Sequence, residues 1–178
     1  MVVMNNDFFA ARIRTIENWP EAGVMFRDIT PLLRDGEAFR QLIDVFVSRY
    51  ADARIDAVAG IDARGFIIGA ALAYRLGCGF IPVRKAGKLP FDTVGESYSL
   101  EYGKATIEVH ADAAAPGDHV LVVDDLMATG GTMLAAVNLM RRLGARIVDT
   151  AVVIDLPLLG GSQRLEASGV SCFSLLNY

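Results

Sequence analysis

Cysteine is scarce in this chain of 178 residues, which contains only Cys78 and Cys172. The two lie far apart in the sequence and lack the close spacing that metal-binding cysteines show. The simplest interpretation is a pair of buried thiols in a reducing compartment. We therefore expect a cytoplasmic protein without a cysteine-based metal site.

Long hydrophobic runs and strong charge of one sign are also missing. The longest stretch without a charge runs from Leu126 to Met140, and its glycines, threonines and asparagine make it too short and too polar to cross a membrane. The first residues lack a basic start, an apolar segment and a small-residue cleavage site, so we expect no secretory signal. The net charge of −4 argues against nucleic acid or a membrane as a partner, although a local cationic pocket is compatible with it.

Apolar residues are plentiful, at 53% of the chain, which is enough for one sizeable core. No internal repeat is visible, and no linker is rich enough in proline, glycine or serine to divide the chain. We therefore expect residues 1–178 to form a single domain.

Strand-length apolar runs alternate with segments of helical period in most of the sequence. This alternation predicts an α/β fold with a mainly parallel twisted sheet flanked by helices. Pro82 has no amide hydrogen, so its strand is expected to lie at an edge of the sheet or to end there. The predicted strands are Ala57 to Ile61, Phe80 to Val83, Val120 to Val123 and Ile147 to Ile154, and the predicted helices are Phe66 to Leu76 and Thr132 to Leu143.

Two parts of the chain depart from this alternation. Residues 84–118 predict a long hairpin excursion, with β-like runs at Tyr98 to Tyr102 and Ala105 to Val109 around Gly103. Residues 1–50 contain helical patterns near Phe8 to Ile16 and Ala38 to Tyr50. A loop with two prolines and a glycine, Trp19 to Leu33, separates those patterns.

The stretch VLVVDDLMATGGT, from Val120 to Thr132, combines a buried strand, two adjacent carboxylates and a glycine-rich turn. Glycines let backbone amides approach one point, and the start of the following helix adds positive potential, which together favour a phosphate. Asp124 and Asp125 would repel that phosphate, but they suit sugar hydroxyls or a hydrated Mg²⁺. The pattern favours a ribose-5-phosphate site, whose phosphate would be held by Ala128, Thr129, Gly130, Gly131 and Thr132.

Two other interpretations of this stretch stay open on spacing alone. A pair of glycines after a strand is often a plain turn, and paired acids after a strand also occur in response-regulator receivers. The stretch matches neither the Walker A pattern nor G-x-G-x-x-G.

The same stretch resembles the phosphoribosyl-pyrophosphate (PRPP) motif of type I phosphoribosyltransferases. Further segments resemble the adenine-specific branch of that family and follow its order over nearly the whole chain. These segments are GVMFRDITPLL (Gly23 to Leu33), GIDARGFIIGAALAYRLG (Gly60 to Gly77), VRKAGKLP (Val83 to Pro90) and SYSLEYGK (Ser97 to Lys104). The resemblance implies the type I phosphoribosyltransferase fold, with an N-terminal hood over residues 1–35 and a flexible hairpin lid over residues 84–110.

A second loop, Asp62 to Gly65, also follows a strand and opens a helix. Taken alone it is a plain connection with a surface arginine, or an anion site that adds a guanidinium to backbone amides. The resemblance implies that Asp62, Ala63 and Arg64 bind the pyrophosphate of PRPP, with a cis peptide bond between Asp62 and Ala63.

A basic cluster in an acidic chain is the next feature, formed by Arg84, Lys85 and Lys88. Such a loop is usually only a solvated surface. Cations near a departing pyrophosphate would stabilise the transition state more than the ground state. The resemblance implies pyrophosphate binding by all three residues, a homodimer in which Arg84 reaches the partner's site, and Mg²⁺ held through the pyrophosphate with Asp124 as a candidate ligand.

The hairpin tip and the Trp19–Leu33 loop complete the site that the resemblance implies. Glu101 would handle the proton of the base, and Tyr102 would cover the reacting centre beneath the lid. Met25, Phe26 and Arg27 would form the adenine hood, with the ring between Phe26 and Leu156. From the residues alone, an exposed hairpin turn and an ordinary core phenylalanine are the simpler interpretations.

The implied function is transfer of the 5-phosphoribosyl group of PRPP to N9 of adenine, which gives AMP and pyrophosphate in purine salvage. One alternative is a PRPP-sensing regulator without catalysis, but the sequence offers no spare helix-turn-helix segment and no basic face. Another is an enzyme of the same fold acting on hypoxanthine, guanine or xanthine, against which the Gly23 to Leu33 segment argues.

Overall fold

The structure of the protein, a computed structural model, describes residues 6–99 and 103–178. The chain divides into two compact units, the first ending at Ala51 and the second beginning at Asp52. Each unit has its own secondary structure. A single domain over residues 1–178 stays a prediction.

The first unit consists of short helices and a two-stranded antiparallel ribbon followed by one long helix. Asp35 caps that long helix, because its carboxylate accepts hydrogen bonds from the amides of Glu37 and Ala38, each at 3.1 Å. The elements are α1 (Asn6–Ala10), β1 (Arg14–Glu17), β2 (Met25–Asp28), α2 (Thr30–Arg34) and α3 (Gly36–Tyr50).

The helix predicted from Ala38 to Tyr50 is confirmed by α3, but two other predictions for this unit are wrong. Of the residues predicted as a helix from Phe8 to Ile16, only those up to Ala10 are helical. Ile16 belongs to β1 instead, where it pairs with Phe26 of β2. The predicted loop from Trp19 to Leu33 contains β2 and most of α2. The ribbon is formed by pairing between distant residues, which a local helical pattern does not reveal.

The second unit contains a seven-stranded sheet within the described residues, in the order β5-β6-β4-β3-β7-β8-β9. Strands β4, β3, β7, β8 and β9 run parallel, and β6 is antiparallel to both of its neighbours. The predicted fold class is therefore confirmed. The elements are β3 (Ala57–Ile61), α4 (Arg64–Leu76), β4 (Gly79–Lys85), β5 (Thr93–Ser99), β6 (Lys104–His110), β7 (His119–Met127), α5 (Gly131–Arg142), β8 (Arg146–Asp155), α6 (Gly161–Ala167) and β9 (Cys172–Asn177), with a 3-10 turn at Pro157–Leu159.

Helices cover both faces of the central strands. Ala57, Ala59 and Ile61 of β3 belong to the core cluster that also contains the buried side of α5. On the opposite face, a Cβ atom at Gly69 of α4 would lie 3.5 Å from a methyl group of Val58. Because both faces are packed, β3 is buried along its whole length, as its continuous apolar sequence predicts.

Pro82 lies in an interior strand, which corrects the prediction that its strand would lie at an edge or end there. Strand β4 continues to Lys85 between β3 and β6. The pairing with β6 begins only at Arg84 and Lys85, whereas Pro82 is paired with Gly60 of β3 on the other side. The missing amide hydrogen of Pro82 is tolerated because the antiparallel strand β6 pairs with β4 only beyond Pro82.

Both cysteines are free and partly exposed, which corrects the expectation of buried thiols. Cys78 lies in the turn between α4 and β4, and Cys172 opens the edge strand β9. In the part of the chain that the structure describes, no helix combines the length and the apolar character needed to cross a bilayer.

Candidate active site

A cavity of about 350 Å³ lies at the carboxyl ends of β3 and β7, where parallel α/β sheets bind their ligands. Seven of the residues predicted to bind PRPP line it together, although they come from separate parts of the sequence. Four further lining residues come from β3, β4, β5 and β6. The lining residues are Ile61, Asp62, Ala63, Arg64, Val83, Lys85, Tyr98, Ile107, Asp124, Asp125 and Thr132.

The Asp62–Gly65 loop joins β3 to α4 and brings amides and a guanidinium to this cavity. The peptide bond between Asp62 and Ala63 is cis, as the resemblance implied. Ala63 is the N-cap of α4 and has no polar side chain, so the start of this 13-residue helix lacks a side-chain cap and directs positive potential toward the cavity. This end of α4 can therefore bind an anion.

Gly65 permits the close approach of α4 to β7. A Cβ atom at this position would lie 2.7 Å from the carbonyl oxygen of Val123 and 3.0 Å from Oδ1 of Asp124. Any side chain would push the helix away from the strand. The contact brings Arg64 within hydrogen-bonding distance of Asp125, whose carboxylate accepts from the Arg64 Nε.

The turn after β7 forms a smaller depression of about 100 Å³ that shares Asp124 and Thr132 with the larger cavity. Gly130 has a φ of 77°, in the left-handed region that glycine adopts without strain, and serves as the N-cap of α5. Since Gly130 has no side chain, the first amides of this 12-residue helix also lack a side-chain cap. All five residues of the predicted phosphate loop, Ala128 to Thr132, line this depression.

Asp124 and Asp125 lie within β7, whereas the sequence placed them just after it. The pairing of β7 with β3 stops at Val123, but its pairing with β8 continues to Met127. The acids therefore occupy the segment where β7 has lost one neighbouring strand, and their surroundings open toward the cavity. The strand extends further than predicted because β8, with ten residues, is long enough to pair with it.

The two carboxylates differ in electrostatic environment. Burial raises the pKa of Asp124 well above its usual value, and the negative charge of Asp125 raises it further. The amide of Asp125 donates a hydrogen bond of 2.8 Å to Oδ1 of Asp124. Asp125 itself is 5% exposed and is paired with Arg64, which compensates its buried charge.

The basic cluster is only partly gathered at the cavity. Lys85 lines it, while the Arg84 Nε donates to Oδ2 of Asp62 at 3.1 Å and the Arg84 Nη1 donates to the Lys88 carbonyl oxygen at 3.1 Å. The side chain of Lys88 lies on an exposed loop outside the cavity lining. Arg84 therefore contacts the site through Asp62, and Lys88 contributes a backbone carbonyl to holding it.

The hairpin supplies part of the cavity wall. Its first strand, β5, begins at Thr93, five residues before the predicted run, and Tyr98 and Ile107 face the cavity from the two strands. Sequence reasoning missed these two residues, Ile61 and Val83, although the alternating burial of β5 is of the kind a period-2 pattern can reveal. Glu101 and Tyr102 lie outside the described residues.

The predicted adenine-binding residues belong to different units. In the first unit, β2 carries Met25, Phe26 and Arg27. The ring of Phe26 packs edge-on against Trp19, with centroids 4.4 Å apart, and the guanidinium of Arg27 donates to the hydroxyl of Thr15.

In the second unit, Leu156 follows β8, and its amide donates to the carbonyl oxygen of Met127 at 2.9 Å. Leu156 is therefore anchored at the entrance to the predicted phosphate loop.

The acidic residues of the site suit a metal held jointly with a ligand. Across residues 6–99 and 103–178, no group of three or more histidine, cysteine or acidic side chains is arranged to hold an ion alone. Mg²⁺ is usually bound by one or two carboxylates together with phosphate oxygens and water. The carboxylates of Asp124 and Asp125 on one cavity fit that arrangement.

The chain is similar to known proteins over most of its length. The model of the phosphoribosyl transferase domain matches residues 32–174. An adenine phosphoribosyltransferase from Cupriavidus metallidurans is 61% identical over 167 residues, which cover 94% of this chain and 88% of the relative.

Solved structures lead to the same family. Adenine phosphoribosyltransferase from Rhodothermus marinus superimposes with a TM-score of 0.92 at 45% identity, covering 97% of this chain and 98% of that one. The enzyme from Saccharomyces cerevisiae, solved in complex with adenine and D-DIAB, has a TM-score of 0.90 at 35% identity, covering 96% and 98% of the two chains. Because these matches span nearly the whole sequence and include the loops that line the cavity, the chain belongs to the adenine phosphoribosyltransferase family.

Proposed function

We propose that the protein transfers the 5-phosphoribosyl group of PRPP to N9 of adenine, giving AMP and pyrophosphate for purine salvage. The observation that carries the proposal is that two helix-opening loops line a cavity and an adjoining depression, and that Asp124 and Thr132 line both of them. A ligand with a phosphate at each end of a ribose needs two anion sites separated by acceptors for its hydroxyls.

PRPP would bind across the mouth of the sheet. The amides and hydroxyls of Ala128 to Thr132 hold the 5′-phosphate, and the carboxylates of Asp124 and Asp125 accept hydrogen bonds from the ribose hydroxyls. The Asp62–Arg64 loop and Lys85 hold the pyrophosphate at the other end. Arg64 would then divide its donors between Asp125 and the incoming phosphate.

The chemical step is a displacement at C1′ of the ribose. N9 of adenine forms a bond to C1′ while the bond from C1′ to the pyrophosphate oxygen breaks, and that oxygen keeps the electron pair. The leaving group gains negative charge as the bond breaks, so Arg64, Arg84, Lys85 and Lys88 stabilise the transition state more than bound PRPP. Asp124 and the pyrophosphate would hold Mg²⁺, which would supply further charge neutralisation.

Glu101 accepts the proton that adenine loses from its imidazole ring, and Tyr102 covers the reacting carbon. In the sequence both residues lie between β5 and β6, the strands that border the cavity at Tyr98 and Ile107. A closed lid over residues 84–110 would keep water from the sugar carbon, which carries positive charge in the transition state.

Adenine is selected by the hood and by Leu156. The resemblance implies that Phe26 and Leu156 enclose the ring and that backbone groups near Met25 and Arg27 contact its edge. A carbonyl oxygen facing the 6-amino group would accept a hydrogen bond from it. The same carbonyl oxygen would repel the 6-oxygen of hypoxanthine or guanine. Binding of adenine by the yeast relative supports this choice of base.

The protein acts in the cytoplasm as a homodimer and needs neither nucleic acid nor a membrane. Ile67 and Tyr74 lie seven residues apart on α4, and both are exposed, Ile67 by 46% and Tyr74 by 85%. Exposed apolar side chains with this spacing suit a subunit interface. In the dimer, Arg84 exchanges its bond to Asp62 for a contact with the partner's pyrophosphate.

The experiment that tests the function mixes the purified protein with PRPP, Mg²⁺ and one purine at a time, and measures pyrophosphate release and the nucleotide formed. Adenine should give AMP and stoichiometric pyrophosphate, and hypoxanthine, guanine and xanthine should give far less. Release with hypoxanthine but not with adenine would contradict the specificity, and release with no purine would contradict the function.

A further inference from the structure

Helix α6 lies directly against the phosphate loop, and its first residue, Gly161, is buried there. A Cβ atom at Gly161 would lie 2.3 Å from the carbonyl oxygen of Ala128 and 2.8 Å from the amide nitrogen of Gly130. Such distances are far inside van der Waals contact, and the atoms concerned are backbone atoms that cannot rotate away. An alanine at this position would therefore displace the loop or the helix.

The contact is reciprocal. A Cβ atom at Gly130 would lie 2.9 Å from the carbonyl oxygen of Gly161 and 3.0 Å from its Cα. Two glycines from distant parts of the chain thus pack backbone to backbone, and neither position has room for a side chain. The position of the loop is set by the surface of α6.

A hydrogen bond one turn along the helix acts on the same loop. The Arg164 Nη1 donates to the carbonyl oxygen of Thr129 at 3.3 Å. In a planar trans peptide the carbonyl and the amide hydrogen point in opposite directions, so this bond also directs the amide hydrogen of Gly130 away from Arg164. Arg164 therefore fixes the orientation of an amide that the phosphate site uses.

We propose that Gly161 and Arg164 are positioning residues for the 5′-phosphate, which keep the Ala128–Thr132 loop in its binding shape without contacting the ligand. The inference rests on the proposed function, because it takes this loop to be the phosphate site. Gly161 and Arg164 belong to a segment that begins at Leu156. The amide of Leu156 donates a hydrogen bond to the carbonyl oxygen of Met127, and its side chain is proposed to contact adenine. A single segment, residues 156–164, thus fixes both the proposed adenine contact and the phosphate loop.

The test compares ribose 5-phosphate affinity, measured by calorimetry, with the steady-state constants for PRPP and adenine. Arg164 is exposed, so Arg164→Gln should fold normally and weaken ribose 5-phosphate binding about fivefold, the size expected for one lost hydrogen bond. Arg164→Lys, which keeps a donor and the charge, should recover most of that loss. Gly161→Ala should weaken binding by about tenfold or more, since the whole loop must shift.

Two variants provide matched controls. Arg141→Gln removes an exposed arginine whose Nη2 donates to another carbonyl oxygen, that of Ser168, at 3.2 Å. Gly36→Ala changes the first residue of α3, where a Cβ atom would meet nothing within 4 Å. Both controls should bind ribose 5-phosphate as the wild type does.

The inference predicts a higher KM for PRPP in the Arg164 and Gly161 variants, with kcat at saturating PRPP and KM for adenine within about twofold of wild type. Equal ribose 5-phosphate affinity in wild type and Arg164→Gln would overturn it, as would a parallel loss in Arg141→Gln. If Gly161→Ala does not fold, the Arg164 pair decides the question. Failure of the wild type to bind ribose 5-phosphate would overturn both the inference and the proposed function.

Discussion

The guanidinium of Arg64 donates a hydrogen bond to the buried carboxylate of Asp125, and 61 residues separate the two in the sequence. This pair joins the loop proposed to bind pyrophosphate to the acids proposed to bind the ribose. Because Asp125 is buried, it needs a compensating charge even without ligand, and Arg64 provides it. The two halves of the site are therefore aligned with each other before PRPP arrives.

Removing both carboxyl groups of β7 should disable ribose binding. The variant that combines Asp124→Asn and Asp125→Asn loses carboxyl acceptors for two hydroxyl groups, so we expect KM for PRPP to rise by about 100-fold with a fall in turnover. Steady-state kinetics with PRPP varied measures this change. Asp112→Asn, on an exposed turn after β6, is the control and should behave as wild type. Unchanged kinetics in the double variant would remove the ribose assignment.

Gly65→Ala should destabilise the protein, because the added methyl group would collide with Val123 and Asp124 across the α4–β7 contact. We expect the free energy of unfolding in urea to fall by about 1–3 kcal/mol, the usual cost of overpacking. Gly79→Ala provides the comparison, since its Cβ atom would meet neighbours at an ordinary 3.6 Å. Equal stability of the two variants would mean that α4 can move without cost.

The parts of the fold that the sequence predicts well are those that local pattern determines. The strand from Ala57 to Ile61 has a continuous apolar run, and the helix that ends before Gly77 closes on a left-handed glycine with a φ of 70°. The sequence predicts the loop that lines the smaller depression because its residues, Ala128 to Thr132, are consecutive.

The parts that could not be predicted depend on pairing between distant segments. Ile16 belongs to a strand only because Phe26 pairs with it, and Tyr98 reaches the cavity through the register of β5 with β6. The sequence also could not indicate that β7 continues past Asp125, since this depends on the length of β8. Likewise, the positioning role proposed for Gly161 can be inferred only from its close approach to Gly130.

The proton-transfer role of Glu101 can be separated from binding. Glu101→Ala should lower kcat by about 100-fold or more, as expected for loss of a general base, while KM for adenine changes little. Glu166→Ala, at an exposed position of α6, removes the same carboxylate far from the hairpin in sequence and should leave kcat unchanged. A change confined to KM for adenine would make Glu101 a binding residue.

The thiols of Cys78 and Cys172 should have similar reactivity at neutral pH, and both should react slowly. Burial is the main cause that raises the pKa of Cys172 to about 11, and burial also raises the pKa of Cys78. A raised pKa keeps the thiol protonated, so the reactive thiolate of Cys172 becomes abundant only as the pH approaches 11. In a Cys78→Ser variant, the rate of iodoacetamide alkylation should rise across pH 9 to 11. A rate that levels off below pH 9 would contradict this expectation.

The central claim is that the amides of the Ala128–Thr132 loop hold a sugar phosphate while Asp124 and Asp125 hold the ribose. A crystal structure of the protein with AMP tests it most directly. The account predicts phosphate oxygens within about 3 Å of the loop amides and both ribose hydroxyls on the two carboxylates. A nucleotide whose phosphate lies at the Asp62–Gly65 loop, or outside the cavity altogether, would contradict it.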